Sequence, residues 1–381
     1  MRVAINAWFW NSPTTGSGQY TRRLVEHLAA VTPHLEIVLV APKGWGAHVS
    51  RLTLHASRTT QPKTGGLRKV WFEQVTFPRA CARFGAGVAH VPYWAPPLRP
   101  TVPTVVTIHD LIPLLLREYR GGPLVRLYTA LVSATARNAA LVLTDSEASR
   151  RDIVTHLGLP PARVRVVYLA AGERYTPEPS TFPGEKPGFS EKTWFQKRYV
   201  LYLGGGFDVR KNVATVLRAY RRAGPAIGEQ CPLVIAGRLP ERDTPFAPDP
   251  RRLAREQGLD ERWVHFIGFV DEADKPALYR GAVAFIFPSR YEGFGLPPLE
   301  ALACGTPVVG SDVSSIPEVV GDAGVLLPPD DAEGMAGALI RLATDDGFRA
   351  ELSRRALAQA ARFSWERTAR ETLAAYRDAV S

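Results

Sequence analysis

Residues 288–309 read PSRYEGFGLPPLEALACGTPVV, and the pattern of this stretch decides the fold. The stretch follows a continuous apolar run at Val283–Phe287 and leads into a second one at Pro307–Gly310. Between the two runs lie a loop with two glycines and a helical segment whose first turn holds Pro298 and Glu300. Proline is tolerated in the first turn of a helix, because the N–H groups there have no partner within the helix. Strand, helix and strand in this order indicate parallel strands with helices between them.

Two series of such apolar runs alternate with helical stretches along the chain. Continuous apolar runs separated by helices predict parallel strands that are covered on both faces. The strands predicted in the first series are Val3–Ala7, Glu36–Val40, Val88–Val91, Thr104–Ile108, Leu141–Thr144 and Val164–Leu169. The strands predicted in the second series are Tyr199–Leu203, Leu233–Ala236, Val264–Ile267, Val283–Phe287, Pro307–Gly310 and Gly324–Leu327.

A segment rich in Pro, Gly and charged residues separates the two series at residues 177–198. Such a composition is typical of a linker. The predicted fold is therefore α/β, with two doubly wound, Rossmann-like domains at residues 1–176 and 199–363. The last segment, residues 364–381, has the pattern of a helix with Ser364 as its N-cap.

The composition is that of a globular protein with more than one core. The chain has 381 residues, of which 45% are hydrophobic and 22% charged, which excludes a disordered chain, a collagen and a coiled coil. No apolar run reaches the roughly 18 to 20 residues of a membrane span, and the first ten residues lack the features of a signal peptide. The three cysteines are far apart and odd in number, so neither a disulfide framework nor a zinc knuckle is expected. We expect a cytoplasmic protein.

The formal net charge of +10 is concentrated in the first half of the chain. Residues 1–183 hold 21 of the 47 Lys and Arg residues but only 10 of the 37 Asp and Glu residues. A one-sided basic surface predicts an anionic partner for this half. Nucleic acid, an acidic lipid and a phosphorylated substrate all meet this description, and ordinary variation in an Arg-rich proteome is the alternative.

Open α/β sheets bind ligands beyond the carboxyl ends of their strands, so the residues that follow each strand are candidate site residues. In the stretch quoted above, Gly293 and Gly295 allow backbone amides to approach a ligand, and the helix start offers N–H groups to a phosphate. Glu292 and Glu300 bracket this loop and can accept hydrogen bonds from sugar or ribose hydroxyl groups. For Glu300, an interaction with the helix dipole alone is the alternative.

A second candidate is LYLGGGFDVRKN at residues 201–212, which begins in the first strand of the second series. Its glycine-rich turn ends in Arg210 and Lys211, which can clamp a diphosphate through charge-assisted hydrogen bonds. Such pairs of basic residues also occur at ordinary helix starts.

The stretch 288–309 resembles the signature of the retaining GT-B glycosyltransferases of family four, also described as glycosyl transferases group 1. That signature has two Glu residues separated by seven others, in an EGFGLP loop followed by EALA, one further residue and GTPVV. The resemblance extends over nearly the whole chain. The family includes bacterial mannosyltransferases of O-antigen and polysaccharide assembly, which this chain resembles. It implies a GT-B architecture, in which two Rossmann-like domains face each other across a cleft and a C-terminal helix returns to the first domain.

The resemblance also implies roles for individual residues. Glu292 and His109 would be the catalytic residues beside the donor sugar; His109 follows a strand in an HD pair, although a lone His is otherwise more often structural. The donor diphosphate would be bound by Gly16, Gly18, Arg210, Lys211, Gly295 and Leu296, and the sugar also by Phe294 and Gly295. The ribose and the base would be bound by Glu300, Val270 and Lys275.

One position departs from the family pattern. Gly205 stands where some relatives have an Arg, so Arg210 is expected to take over that phosphate contact. The chain has no DxD motif at a suitable strand end, and we therefore expect neither a metal ion nor another cofactor.

Two aromatic segments of the first half can belong to an acceptor site or to the core. Tyr93 and Trp94 follow a strand and can form part of an acceptor wall, with buried packing as the alternative. The stretch Gly65–Phe84 combines basic and aromatic residues, which is typical either of an interfacial helix or of a helix with a solvated basic face.

The activity implied is transfer of a hexose, preferably mannose, from a nucleotide-diphospho-sugar to a glycan or lipid-pyrophosphate acceptor, with retention of configuration. GDP-mannose is favoured over UDP-sugars as the donor, because Val270, Glu272 and Lys275 resemble the corresponding segment of relatives that use it. The basic first domain is expected to contact an anionic membrane surface at the cytoplasmic face and to bind no nucleic acid. A glycoside hydrolase, a sugar-nucleotide epimerase and a non-enzymatic basic protein that binds nucleic acid are the alternatives.

Overall fold

The computed structural model describes residues 1–12, 15–42, 53–56, 65–178, 198–259 and 261–381. Of the predicted linker at 177–198, residues 179–197 lie outside the described residues. The contacts divide the chain into two compact units. Unit 1 comprises Met1–Leu169 and Ser364–Ser381, and unit 2 comprises Ala170–Phe363.

Unit 1 is built on a parallel sheet of seven strands. Its order is β3-β2-β1-β4-β5-β6-β7, so the direction of chain progression reverses between β1 and β4. The strands are β1 (Arg2–Asn6), β2 (Glu36–Ala41), β3 (Thr53–Ala56), β4 (Val88–Val91), β5 (Thr104–Thr107), β6 (Leu141–Thr144) and β7 (Val164–Val166). The helices of this part are α1 (Gly16–Val31), α2 (Gly65–Trp71), α3 (Phe77–Arg83), α4 (Ile112–Leu115), α5 (Pro123–Ala136) and α6 (Glu147–Leu157), and a π-helical turn at Phe72–Thr76 joins α2 to α3.

Unit 2 is built on a parallel sheet of six strands. The strands are β8 (Tyr199–Leu203), β9 (Leu233–Ala236), β10 (Val264–Gly268), β11 (Ala282–Phe287), β12 (Val308–Ser311) and β13 (Gly324–Leu327). Their order is β10-β9-β8-β11-β12-β13, the strand order of a Rossmann domain, with the switch point between β8 and β11. The helices are α7 (Val213–Ile227), α8 (Pro250–Glu256), α9 (Lys275–Gly281), α10 (Leu296–Ala303), α11 (Ile316–Val320), α12 (Ala332–Thr344) and α13 (Asp346–Ala360).

The last helix, α14 (Trp365–Val380), belongs to unit 1 although it follows unit 2 in sequence. As predicted, Ser364 caps it, since the Ser364 Oγ accepts a hydrogen bond of 3.2 Å from the Arg367 N–H. The sequence also predicts an apolar stripe at Leu373, Tyr376 and Val380, which is correct for Leu373 and Tyr376, since they are buried, but wrong for Val380, which is 47% exposed. The Tyr376 hydroxyl lies 2.7 Å from the His90 Nδ1 at the end of β4, so α14 packs directly against the sheet of unit 1.

The two doubly wound α/β domains predicted from the sequence are thus confirmed. Each of the twelve predicted strands is present, and most of their ends agree to within one residue. The largest difference is Val164–Leu169, which is extended only over Val164–Val166. The strand β3 was not predicted, because its sequence TLHA lacks the continuous apolar character of a strand that is covered on both faces, and β3 lies at the edge of the sheet.

Candidate active site

The switch point of unit 2 brings together two loops that are far apart in sequence. The loop after β8 carries Arg210 and Lys211, and the loop after the neighbouring strand β11 carries Glu292. The Arg290 N–H donates a hydrogen bond of 2.8 Å to the carbonyl oxygen of Arg210, and the Ser289 Oγ lies 3.2 Å from the same atom. Because strands β8 and β11 are paired, the residues that follow them lie at the same edge of the sheet.

The Glu292 carboxylate bridges both basic side chains. Its Oε1 lies 2.7 Å from the Lys211 Nζ, and its Oε2 lies 2.7 Å from a terminal nitrogen of Arg210. The Ser289 hydroxyl donates a further hydrogen bond of 2.6 Å to Oε1. These side chains are largely shielded from solvent, where charge-assisted hydrogen bonds are stronger than in water.

This environment keeps Glu292 ionised. Burial alone would raise the pKa of the carboxyl group, but the charges of Lys211 and Arg210 and the hydrogen bonds from Lys211 and Ser289 hold it below its usual value. The two cations and one carboxylate leave a net positive charge, which favours an anionic ligand such as a diphosphate. The Asp208 carboxylate, 3.7 Å from the Arg210 Nε, brings the formal charge of the four groups to zero, so an anionic ligand would depend on their N–H donors and not on a net charge.

Two serines that the sequence reasoning did not single out hold the backbone of this loop. The Glu292 N–H donates to the Ser314 Oγ at 3.1 Å, and the Ser314 hydroxyl donates back to the Glu292 carbonyl oxygen. The Ser315 hydroxyl donates to the carbonyl oxygen of Phe294, and its Oγ lies 2.9 Å from the carbonyl oxygen of Glu292. Both serines follow β12, so the same strand-end rule that selected Glu292 also selects the SDVSS run at residues 311–315.

The helix start predicted after this loop is present at α10, and phosphate binding there stays a prediction. Gly295 precedes it with a φ of 114°, and a Cβ atom at this position would lie 3.0 Å from the Ile316 Cδ1, so no other residue fits without strain. The prolines Pro297 and Pro298 occupy the first turn, where no intrahelical N–H bond is lost. The amides of Gly295 and Leu296 remain as donors at this end of the helix.

Glu300 lies in a separate, apolar part of the same edge. Its Oε2 accepts a hydrogen bond of 3.1 Å from the Tyr279 hydroxyl, and the Tyr175 ring packs near the Tyr279 ring. Burial raises the pKa of Glu300 to about 7, although the Lys275 charge and the tyrosine hydroxyls lower it in part. Lys275 forms an ion pair with Glu272, so the predicted ribose and base residues lie together.

Val270, the remaining residue predicted to contact the base, is buried after β10. A backbone contact to a base does not require an exposed side chain, so this placement is compatible with the predicted role. Phe294 is also buried, and its ring packs at 5.9 Å from the Phe363 ring, so only its backbone is available to a sugar.

The other predicted site residues lie in unit 1. The His109 Nδ1 lies 2.6 Å from an Asp145 carboxylate oxygen, and its Nε2 lies 3.3 Å from the carbonyl oxygen of Pro92. Burial disfavours the charged imidazole, but Asp145 outweighs this effect and raises the pKa of His109. The Tyr20 ring packs edge-on at 4.8 Å, so the orientation of the imidazole is fixed from three sides.

The two glycines predicted to bind the diphosphate, Gly16 and Gly18, lie in the first turn of α1 and have different surroundings. Gly16 has open space where a side chain would be, so its amide can be approached by a ligand. At Gly18, a Cβ atom would lie 2.1 Å from the Ser12 carbonyl oxygen, so glycine is needed there for packing of α1 against the preceding loop. Packing alone therefore explains Gly18.

Lys69 and Tyr93 belong to a buried cluster and not to an open surface. The Lys69 Nζ lies 3.3 Å from a carboxylate oxygen of the buried Glu73, donates to the Tyr128 hydroxyl at 2.9 Å, and lies 5.2 Å from the centroid of the Tyr93 ring. The core interpretation therefore holds for Tyr93. Trp94, which is partly exposed, remains a candidate for an acceptor wall.

Comparison with known proteins connects this geometry to one family. The family described as glycosyl transferases group 1 matches residues 197–345, and glycosyltransferase family 4 matches residues 14–170. The chain is 35% identical over 274 residues to O-antigen chain mannosyltransferase B of Escherichia coli. The alignment covers 72% of this chain and 70% of that protein. It is 33% identical over 269 residues to the serotype-specific mannosyltransferase WbdA of Escherichia coli, covering 70% of this chain but only 32% of that longer protein.

A solved structure shows the same fold at low sequence identity. The HepE protein of Anabaena in complex with UDP and glucose is 18% identical and matches with a TM-score of 0.71, covering 98% of this chain and 99% of that chain. The strand orders of both units, the loops at the switch point and the sequence relatives all point to the same family. The chain belongs to the GT-B glycosyltransferases of family 4, the glycosyl transferases group 1.

Proposed function

We propose that this glycosyltransferase transfers mannose from GDP-mannose to a glycan or lipid-linked acceptor with retention of the anomeric configuration, and that it does so without a metal ion. The observation that carries the proposal is the contact of Glu292 with both Lys211 and Arg210 at the switch point of unit 2. The sequence relatives named as mannosyltransferases support the choice of sugar.

The leaving group explains why two cations are needed at this place. When the bond between the sugar C1 and the diphosphate oxygen breaks, negative charge develops on the diphosphate and positive charge on the sugar ring. Lys211, Arg210 and the amides of Gly295 and Leu296 are fixed donors for the first charge. The Glu292 carboxylate is the counter-charge for the second.

The acceptor hydroxyl would attack C1 on the face from which the diphosphate departs. Its oxygen forms the new bond to C1, and its proton passes to the departing phosphate oxygen. No protein base is required for this step. His109, held by Asp145, is proposed as the catalytic residue of unit 1 that positions the donor sugar.

A transfer assay tests this proposal. The protein is incubated with GDP-mannose, UDP-glucose or ADP-glucose and with octyl α-mannoside as a mannose-terminated probe acceptor, in the presence and absence of EDTA. We expect GDP release and an α-linked mannosyl product only with GDP-mannose, at a rate that EDTA does not change. A β-linked product would contradict retention, a loss of activity in EDTA would contradict metal independence, and sugar-nucleotide conversion without acceptor would indicate an epimerase.

The His109→Ala variant separates chemistry from donor binding in the same assay. We expect turnover to fall at least about tenfold, which corresponds to about 1.4 kcal/mol of barrier, while GDP affinity stays unchanged. A matched control is His156→Ala, because His156 lies in the last turn of α6 outside the proposed site. Equal activity of the two variants would remove His109 from the catalytic residues.

We also propose that unit 1 contacts an anionic membrane surface through α2 and α5. The basic residues of the stretch 65–84, which are Arg68, Lys69, Arg79 and Arg83, do not form this surface together. Of those four, Lys69 points into the aromatic cluster described above. Leu124, which is 82% exposed, and Leu127, which is 69% exposed, lie in the first turns of α5, and Leu67 and Trp71 are exposed on α2. None of the helices in the described part of the chain has the length and apolar character needed to cross a bilayer.

The charge of this region complements an acidic lipid surface. Arg117, Arg120 and Arg126 are exposed on α5 and just before it. Near an anionic bilayer, each basic residue contributes about 1 kcal/mol, and exposed Leu and Trp side chains can enter the headgroup layer. We expect sedimentation with phosphatidylglycerol vesicles, a loss of binding with added salt, and weaker binding of Leu124→Ser. Val380→Ser, at an exposed apolar residue of α14, is the control, and equal binding to phosphatidylcholine vesicles would contradict the proposal.

A further inference from the structure

Two exposed side chains form a cation–π contact at the edge of the sheet in unit 2. Phe269 follows β10 directly and is 54% exposed. The guanidinium carbon of Arg238, which follows β9, lies 5.4 Å from the centroid of the Phe269 ring. Neither residue was singled out by the sequence reasoning.

The backbone places both side chains at the carboxyl edge of the sheet. The Gly237 N–H donates a hydrogen bond of 2.8 Å to the carbonyl oxygen of Gly268, so the ends of β9 and β10 stay paired up to these residues. Gly237 has a φ of 149°, and a Cβ atom there would lie 2.7 Å from the Gly204 carbonyl oxygen at the end of β8. The ends of β8, β9 and β10 are therefore in backbone contact, and Arg238 and Phe269 are the residues that follow Gly237 and Gly268.

Among the described residues, the Arg238 guanidinium has an aromatic ring and not a hydrogen-bond acceptor as its neighbour. Across the part of the chain that the structure describes, its guanidinium contacts the Phe269 ring and no carboxylate or carbonyl oxygen. A guanidinium is planar and has five N–H donors, so this side chain offers a fork of donors that the protein itself does not use. The Phe269 side chain beside it is 54% exposed, and aromatic rings bind nucleobases by stacking.

We infer that Arg238 and Phe269 recognise the base of the nucleotide donor and that this base is guanine. The inference rests on the proposed function. The base stacks on the Phe269 ring, and the Arg238 guanidinium donates two parallel hydrogen bonds to O6 and N7 of guanine, the pairing that guanine presents to arginine. Adenine has an amino donor in place of O6, and uracil has neither N7 nor the second ring.

Binding titrations of GDP, ADP and UDP test this inference. We expect the unmodified protein to bind GDP at least tenfold more tightly than ADP or UDP. Arg238→Ala should weaken GDP binding about tenfold and change ADP and UDP binding less than twofold. Arg238→Lys keeps the charge but loses the fork of donors, and we expect it to match Arg238→Ala. Phe269→Ala should weaken all three ligands, because each base loses its stacking surface.

Arg242→Ala is the matched control, since Arg242 is exposed four residues further along the same loop. We expect all three affinities to be unchanged in this variant. Equal losses for GDP, ADP and UDP in Arg238→Ala would show a contact to the phosphates and overturn the inference, as would tighter binding of ADP or UDP to the unmodified protein. Failure of all three nucleotides to bind would instead contradict the proposed function.

Discussion

A carboxylate that contacts two cations at a proposed anion site is expected to have opposite effects on ligand binding and on catalysis. Glu292 forms ion pairs with Lys211 and Arg210, so in the proposed function it would compete with a diphosphate for the same donors. At the same time, it can stabilise a positive sugar ring in the transition state. The two effects separate when the carboxylate loses its charge and keeps its shape.

We therefore expect Glu292→Gln to bind GDP several-fold more tightly and to transfer sugar at least about tenfold more slowly, a change of about 1.4 kcal/mol in the barrier. Lys211→Met should weaken GDP binding, and it should weaken GMP binding less, because the second phosphate is missing. Isothermal titration and initial rates measure both quantities. Weaker GDP binding in Glu292→Gln would mean that the carboxylate mainly positions the two cations.

Glu300 makes stability depend on pH in the opposite direction from an ion-paired carboxylate. Its pKa is raised to about 7 in the folded state, above the value of 4.5 that an exposed Glu has. Between these two pH values, the unfolded chain loses its proton while the folded protein keeps it. The free energy of unfolding therefore falls as pH rises from 4.5 to 7, and it is unaffected by this group below 4.5.

Glu300→Gln should remove this part of the pH dependence. When pH is raised from 4.5 to 7, the free energy of unfolding of the unmodified protein should fall relative to that of the variant, by on the order of 2–3 kcal/mol. Urea unfolding at a series of pH values measures it. Parallel curves for the two proteins would show that burial does not hold the Glu300 proton.

At the scale of elements, close packing and not ligand binding explains one of the two glycines at the start of α1. A methyl group at Gly18 would collide with two backbone carbonyl oxygens, those of Ser12 and Phe9, which cannot move without displacing the loop. Gly16 lies in the same turn of α1 with nothing within 4 Å of its missing side chain. The pair offers a direct comparison within a single helix.

We expect Gly18→Ala to lower the free energy of unfolding by about 1–3 kcal/mol, the usual cost of overpacking, and Gly16→Ala to be neutral or slightly stabilising. Thermal unfolding of both variants measures this difference. Equal melting temperatures would contradict the close packing of α1 against the loop at Ser12.

Element boundaries show which helices and strands follow from local pattern. The continuous apolar runs predict strands that are covered on both faces, and β8 and β11 are fully buried as that pattern requires. The edge strand β3 pairs with only one neighbour, so its sequence does not have to show this pattern. The π-helical turn between α2 and α3 also has no signature in the apolar periodicity of the stretch 65–84.

At the scale of the whole molecule, the end of the chain completes the first unit. Helix α14 buries Trp365 and Tyr376 in unit 1, and the Tyr376 hydroxyl contacts His90. A chain that ends at Phe363 would expose the core of unit 1 that these side chains cover, while all of unit 2 is retained. Fully burying one large aromatic or aliphatic side chain is worth about 1.5–3 kcal/mol, so these two rings together contribute about 3–6 kcal/mol, a large part of the roughly 5–15 kcal/mol of a typical domain.

We expect such a shortened chain to lose the cooperative unfolding of unit 1 and the transfer activity, and to keep GDP binding by unit 2. Calorimetry with and without GDP measures this, because a ligand at 100 times its dissociation constant stabilises its unit by about 2.7 kcal/mol. Full stability of the shortened chain would show that α14 contributes little to unit 1.

The sequence by itself determined the fold class, the two series of strands, the capped C-terminal helix and the strand-end positions of Glu292, Glu300, Lys211 and His109. These features depend on the periodicity of neighbouring residues and on the rule that ligands bind beyond the carboxyl ends of parallel strands. Only the tertiary structure decided the contacts between them. Lys211 contacts Glu292, 81 residues further along the chain, because β8 pairs with β11. The Lys69 side chain lies in an aromatic cluster because it donates a hydrogen bond to the Tyr128 hydroxyl. Periodicity along one segment carries no information about which distant segment will pack against it, so partners, burial and pKa shifts appear only when the sheets assemble.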